Sequence, residues 1–218
     1  MLSQILAIIL LALPLTTVWA GGKVEPIGSF TDASASESLR SALSEQGYRV
    51  FLGDNQALCD IWWRKTIPTQ AKADVPGATY TELAESTFVG VISLLKPSAD
   101  YRGQTLKPGA YTMRYALLPN DGNHLGAAPT RDFLLLIPVA ADQAVDAPLK
   151  YDDLMALSRK ASGTTHPACL SLVSAEGQKT FPAVVERGHG HVAFVATLQA
   201  ASKAQFPIAL IVKGVAEQ

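Results

Sequence analysis

Two neighbouring segments constrain the fold of this chain more than any other. Tyr111, Met113, Tyr115 and Leu117 recur at every second residue, the period of a strand with one buried face. Residues 133–137 (Phe-Leu-Leu-Leu-Ile) are apolar without a break, as in a strand covered on both faces, which places them in the middle of a sheet. Lys107-Pro-Gly109 ahead of the first strand is turn chemistry, Pro fixing φ and Gly permitting positive φ. Between the two strands lies a polar loop, residues 120–130, carrying Asp121, Asn123 and His124.

Further segments repeat the strand signal. Residues 48–52 and 57–66 read as a hairpin, with Cys59, Ile61 and Trp63 on one face and Asp60, Trp62 and Arg64 on the other. Residues 88–95, 168–173, 181–186, 192–198 and 206–213 are further strands separated by turn residues, and 23–30 is a weak extended segment. Two helices interrupt them. Ser34 and Glu37 have capping-box spacing before an amphipathic run that ends at Gly47. Residues 149–162 show helical spacing, with Asp152 and Asp153 in the first turn and Arg159 and Lys160 in the last, the order the helix dipole favours, and Gly163 as the stop. About nine short strands with two short helices do not alternate as βαβ units. The expected fold is mainly β, an antiparallel β-sandwich or jelly-roll-like domain.

The first 20 residues are set apart. A short apolar run, Pro14 and the small residues around Trp19 form the pattern of a signal peptide, with retention as an anchor the alternative. The run is shorter than the roughly 20 residues a membrane span needs. The reading is therefore a signal at 1–20, a single domain over 21–218, no transmembrane segment after signal removal, and a periplasmic or secreted location. Net charge is −1 with no basic run, so nucleic acid is an unsuitable partner. A small polar ligand, a glycan or an envelope protein remain as partner classes. Cys59 and Cys169 would be in an oxidising compartment, where pairing would stabilise by about 4–5 kcal/mol. Unpaired thiols are equally at home in buried strands.

Several polar signatures occur together: Cys59-Asp-Ile-Trp62, Asp100-Tyr-Arg-Gly-Gln104, Leu106-Lys-Pro-Gly-Ala-Tyr-Thr-Met-Arg-Tyr115, Asp121-Gly-Asn-His-Leu-Gly126, Arg131-Asp-Phe133 and Ser158-Arg-Lys-Ala-Ser-Gly163. In these the chain resembles a group of exported bacterial β-sandwich proteins that has no established activity. The resemblance implies an extracytoplasmic address and a sandwich fold, not a reaction.

Candidate site residues follow from residue chemistry. Asp121, His124 and His166 could ligate zinc or copper, or contact a polar ligand, whereas Asp121 and Asn123 also suit a plain turn. His189 and His191 flank Gly190 in a segment that reads as a tight turn. Arg114, opposite in parity to the tyrosines, is expected to pair with Asp132 across the strands; alternatively Arg102, Arg114 or Arg131 meets an anionic ligand. Trp62 is either a sugar-stacking platform or a core residue under a helix. No nucleophile elbow, zincin helix, P-loop or dinucleotide fingerprint is present. The reading favours a binding or interaction module. A metal-dependent hydrolase using Asp121, His124 and His166, and a structural cell-envelope protein, are the alternatives.

Overall fold

The computed structural model describes residues 21–53, 56–120 and 128–216. The expected signal peptide at 1–20 and the loop residues Asp121, Asn123 and His124 lie outside the described residues. The elements run β1 (Lys23–Ile27), α1 (Glu37–Ala42), β2 (Gly47–Leu52), β3 (Gln56–Trp63), β4 (Phe88–Leu94), β5 (Ser98–Ala99), β6 (Thr105–Leu106), β7 (Gly109–Leu117), β8 (Asp132–Pro138), α2 (Tyr151–Ser162), β9 (Cys169–Val173), β10 (Ala183–Glu186), β11 (Val192–Gln199) and β12 (Gln205–Lys213). The fold is mainly β and antiparallel, as the alternation predicts.

Ten of these strands form one sheet in the order β1-β2-β3-β4-β7-β8-β9-β12-β11-β10; β5 and β6 pair only with each other. Every neighbouring pair in the large sheet is antiparallel. The first seven strands in that order form a meander. The chain then crosses from β9 to the far edge and returns through two hairpins, a Greek-key turn. The sheet curls until its edges nearly meet. A Cβ at Gly22, just before β1, would stand 2.5 Å from the Val184 side chain on β10, so this position closes the seam only as glycine. The result is a nearly closed barrel, in which the facing apolar layers are opposite walls of one sheet.

Alternation fills the interior. Tyr111, Met113 and Tyr115 of β7 join Ile61 and Trp63 of β3, Leu134 and Leu136 of β8, Phe194 and Leu210 in one buried cluster. Trp63 stacks on Phe194 with ring centroids 6.1 Å apart and planes 5° from parallel. The unbroken run in β8 is explained by its other face. Phe133, Leu135 and Ile137 point outward into a second buried cluster with Leu154 and Met155 of α2. Burying such a side chain stabilises by about 1.5–3 kcal/mol, enough for two or three of them to hold a twelve-residue helix to the wall.

A third cluster packs α1 on the outer face around Trp62, Phe30 and Leu39. The helix cap differs from the expected one. Asp32 Oδ1 accepts bonds from both Ser34 N (2.8 Å) and Ser34 Oγ (2.7 Å), so Ser34 is engaged upstream and Ser36 caps instead, its Oγ accepting from Leu39 N. The helix also stops earlier, at Leu43, which bridges to Arg64; Gly47 begins β2. Gly47 is required by proximity: a Cβ there would lie 2.3 Å from Trp62 Nε1.

Cys59 faces the barrel interior and Cys169 the outer cluster under α2, and both are free. Burial drives both thiols up, Cys169 to about 12, so neither is a nucleophile near neutrality. Native protein is therefore expected to react with a thiol-specific reagent far more slowly than a small-molecule thiol. Denaturation without reductant should then release two reactive thiols. Release of none would show a disulfide and overturn this arrangement.

Candidate functional site

A cleft of about 240 Å³ opens between α2 and the outer wall of β7 and β8. Its floor is apolar: Ala116 and Phe133, Leu135 on β8, and the buried Cys169. One wall is the helix face carrying Tyr151, Met155 and Arg159, spaced four residues apart and therefore aligned. Leu154, Ser158 and Ala161 are turned into the protein, and Ser158 Oγ donates to Ala168 O at 2.9 Å, fixing the helix rotation. Tyr151 is 51 % exposed and stands at the rim. It begins the helix, beyond the end of the covered stripe.

The far end of the cleft is cationic. Arg102 and His166 lie there with Arg159. Their main chain is tied together by Asp100, which is fully buried. Its Oδ1 accepts from Arg102 N (3.0 Å) and Gln104 N (2.8 Å), and its Oδ2 from Gln104 Nε2 (2.8 Å) and Cys169 N (3.2 Å). Burial raises this carboxyl above the ordinary range and those donors pull against the rise. Gln104 continues the linkage, its Nε2 donating to Pro167 O at 3.0 Å and its Oε1 accepting from Thr164 Oγ1. The Arg102 turn and the segment around His166 are thus one braced unit. Among the described residues, the side chains of Arg102, Arg159 and His166 make no hydrogen bond or ion pair. Asp152 is the cleft's one carboxylate among its described lining.

The other candidates are occupied elsewhere. Arg114 does not pair with Asp132. In the β7–β8 register Leu117 opposes Asp132 and Arg114 opposes Leu135. Directly opposed residues share a face, so Asp132 turns to the interior wall with Leu117 while Arg114 turns outward. Its partner is Asp142, beyond β8, held by Nε to Oδ2 at 2.7 Å and Nη2 to Oδ1 at 2.8 Å. Nη1 donates to Ser86 O and Ala147 O, and Nη2 also to Ala144 O. All five guanidinium N–H groups are therefore used. A neighbouring cavity of about 230 Å³ touches Arg114 but finds no free donor on it. Arg131 is spent as well, on Leu118 O through Nε (2.9 Å) and Nη2 (2.7 Å), and on Pro76 O. Of the three arginines singled out in the sequence as anion contacts, Arg102 alone keeps its guanidinium unengaged among the described residues.

Trp62 is 7 % exposed, its ring covered by Phe30 at 5.0 Å and its Nε1 donating to Gly28 O at 2.8 Å. That leaves no open ring face for a sugar. Asp132 is fully buried at the barrel's upper mouth. His189 (φ 49°) sits between two positive-φ glycines in a tight turn, and His191 is buried with Nε2 2.8 Å from Val215 O. Among the described residues no group of three His, Cys, Asp or Glu could hold a metal ion. Asp121 and His124 fall outside them, so of the zinc or copper trio only His166 has a described position. A third cavity, about 420 Å³, lies at the barrel's lower mouth between Gln56, Lys96 and Lys213, with Leu52, Leu58 and Val212 among its lining. No helix among the described residues is long and apolar enough to cross a membrane.

No family model matches the chain, and neither a curated protein nor a solved structure does.

Proposed function

We propose that this chain is an exported binding module, periplasmic or secreted, whose ligand site is the cleft beneath α2. The observation that carries the reading is the pairing of an apolar floor with two arginines, Arg102 and Arg159, and His166, whose side chains are unengaged among the described residues. Small-ligand sites have this composition, with apolar walls for affinity and a few polar groups for orientation.

Filling the cleft tests the reading. Ala116→Trp places a large ring over the floor while leaving the interior face of β7 untouched. Ligands that raise the unfolding midpoint of the native chain stabilise by mass action. The same ligands at the same concentrations are expected to leave the midpoint of the Ala116→Trp protein unmoved. Equal shifts in both proteins would place binding elsewhere and remove the cleft from consideration.

A further inference from the structure

We propose that the occupant of this cleft is a small amphipathic carboxylate, its head group at Arg102 and Arg159 and its apolar body running along α2 toward Tyr151. The inference rests on the reading of the cleft as a ligand site and adds the class of ligand.

Charge sets the polarity of the ligand. Arg102, Arg159 and His166 lie toward one end, and among the described lining Asp152, near the start of the helix, is the one carboxylate. A cationic ligand would meet two permanent positive charges. An anion meets two guanidinium forks that have no other partner among the described residues, and such forks match the two oxygens of a carboxylate. Among the described residues this differs from Arg49, Arg64, Arg114 and Arg131, each of which is spent on a carboxylate or carbonyl.

Shape sets the rest. From Tyr151 to Arg159 the helix advances by about 12 Å, so Met155 on the helix wall, over the apolar floor of Phe133 and Leu135, lies between the aromatic rim and the cationic end. A ligand must therefore be apolar for most of its length and charged at one tip. At about 240 Å³ the cleft falls below the roughly 300–1,000 Å³ of drug-sized sites, which selects a small acid over a phospholipid or a peptide. The head-group end is preformed, because buried Asp100 holds the Arg102 turn to Cys169 and, through Gln104, to Pro167.

Isothermal titration of the purified chain with octanoate and 4-phenylbutyrate, each against its alcohol of equal length, tests the class. Amide chemical-shift mapping of the same titrations tests the place. The acids are expected to bind at least about tenfold more tightly than the alcohols, the worth of a charge-assisted hydrogen bond. Shifts should centre on Arg102, Phe133, Met155 and Arg159. Arg102→Gln and Arg159→Gln, both exposed, should each weaken acid binding about tenfold, leave alcohol binding unchanged and keep the wild-type unfolding midpoint. Acids and alcohols binding the cleft equally would overturn the carboxylate class while leaving the cleft as a site. Shifts confined to other surfaces, or no saturable binding of any of the four, would overturn both.

Discussion

Asp142→Ala is expected to destabilise the protein by about 3–5 kcal/mol, because it leaves the Arg114 guanidinium charged and unpaired where it is buried. The side chains of Arg114 and Asp142 are 1 % and 3 % exposed. The alanine variant also takes from Thr112 Oγ1 the acceptor it reaches at 2.6 Å. The remaining Arg114 bonds, to Ala144 O and Ala147 O in the loop from β8 to α2 and to Ser86 O just before β4, tie that loop to the wall. Loosening that loop frees the N-terminal approach to α2 and so the wall of the cleft. Domains of this kind have only about 5–15 kcal/mol in total, so the urea midpoint should fall by a large fraction. The double variant Arg114→Met, Asp142→Leu removes both charges and keeps the volume. It is expected to recover much of the loss, since an apolar replacement of a buried pair is often neutral or better. A loss below about 1 kcal/mol in Asp142→Ala would mean that water reaches the guanidinium.

The partner of Arg114 also shows what the sequence could and could not carry. Its parity, opposite to Tyr111, Met113 and Tyr115, is legible, and the outward direction follows. The choice between Asp132 and Asp142 is not, because it depends on register: one residue of slip exchanges the faces of a whole strand. Antiparallel strands and the double burial of β8 were legible from alternation and from the unbroken apolar run. Closure into a single curled sheet was not, since opposed walls of a barrel and the two layers of a sandwich present the same inward alternation. β5 and β6, two residues each, are too short to have a period at all. The Ser34 cap failed for a local reason, an Asp32 carboxylate two residues upstream that competes for the same hydroxyl. For the site, Arg102 and His166 were visible as residue types, and Arg159 as a charge suited to a helix end. Their convergence required tertiary contacts that no spacing encodes, the Asp100 and Gln104 bonds across from β9 and its approach. Trp62 is the core residue under a helix that the sequence offered as the alternative to a sugar platform, and Asp132, expected to face Arg114, is buried on the other side of the wall.

Asp132→Ala is the second variant with a large expected cost, again about 3–5 kcal/mol, as it strips three donors of their shared acceptor. The buried carboxylate accepts from Thr79 N (2.7 Å), Tyr80 N (3.0 Å) and the Tyr115 hydroxyl (2.7 Å). Tyr80 then reaches across the barrel. Its hydroxyl donates to Val173 O at 2.7 Å and accepts from Ala209 N at 3.1 Å. β9 and β12 share only two register pairs, Ala209 with Val173 and Leu210 with Leu172, so this phenol staples the weakest junction of the sheet. Loss of Asp132 is therefore expected to be felt there, as faster amide exchange at Ala209 than at the well-paired Phe194. The same phenols set the alkaline limit. Burial first raises Tyr80, to about 12, with the Asp132 charge adding to it, and burial followed by the hydrogen bond to Asp132 raises Tyr115. The folded protein thus keeps protons that the unfolded chain releases above about pH 10. Stability from this source is intact below that point and falls as pH rises through the folded values. In an absorbance titration at 295 nm, two of the six tyrosines should ionise only together with unfolding. Smooth titration of all six near their ordinary value, with the fold intact, would show that the Tyr80 staple is open to water and that Asp132 does not hold it closed.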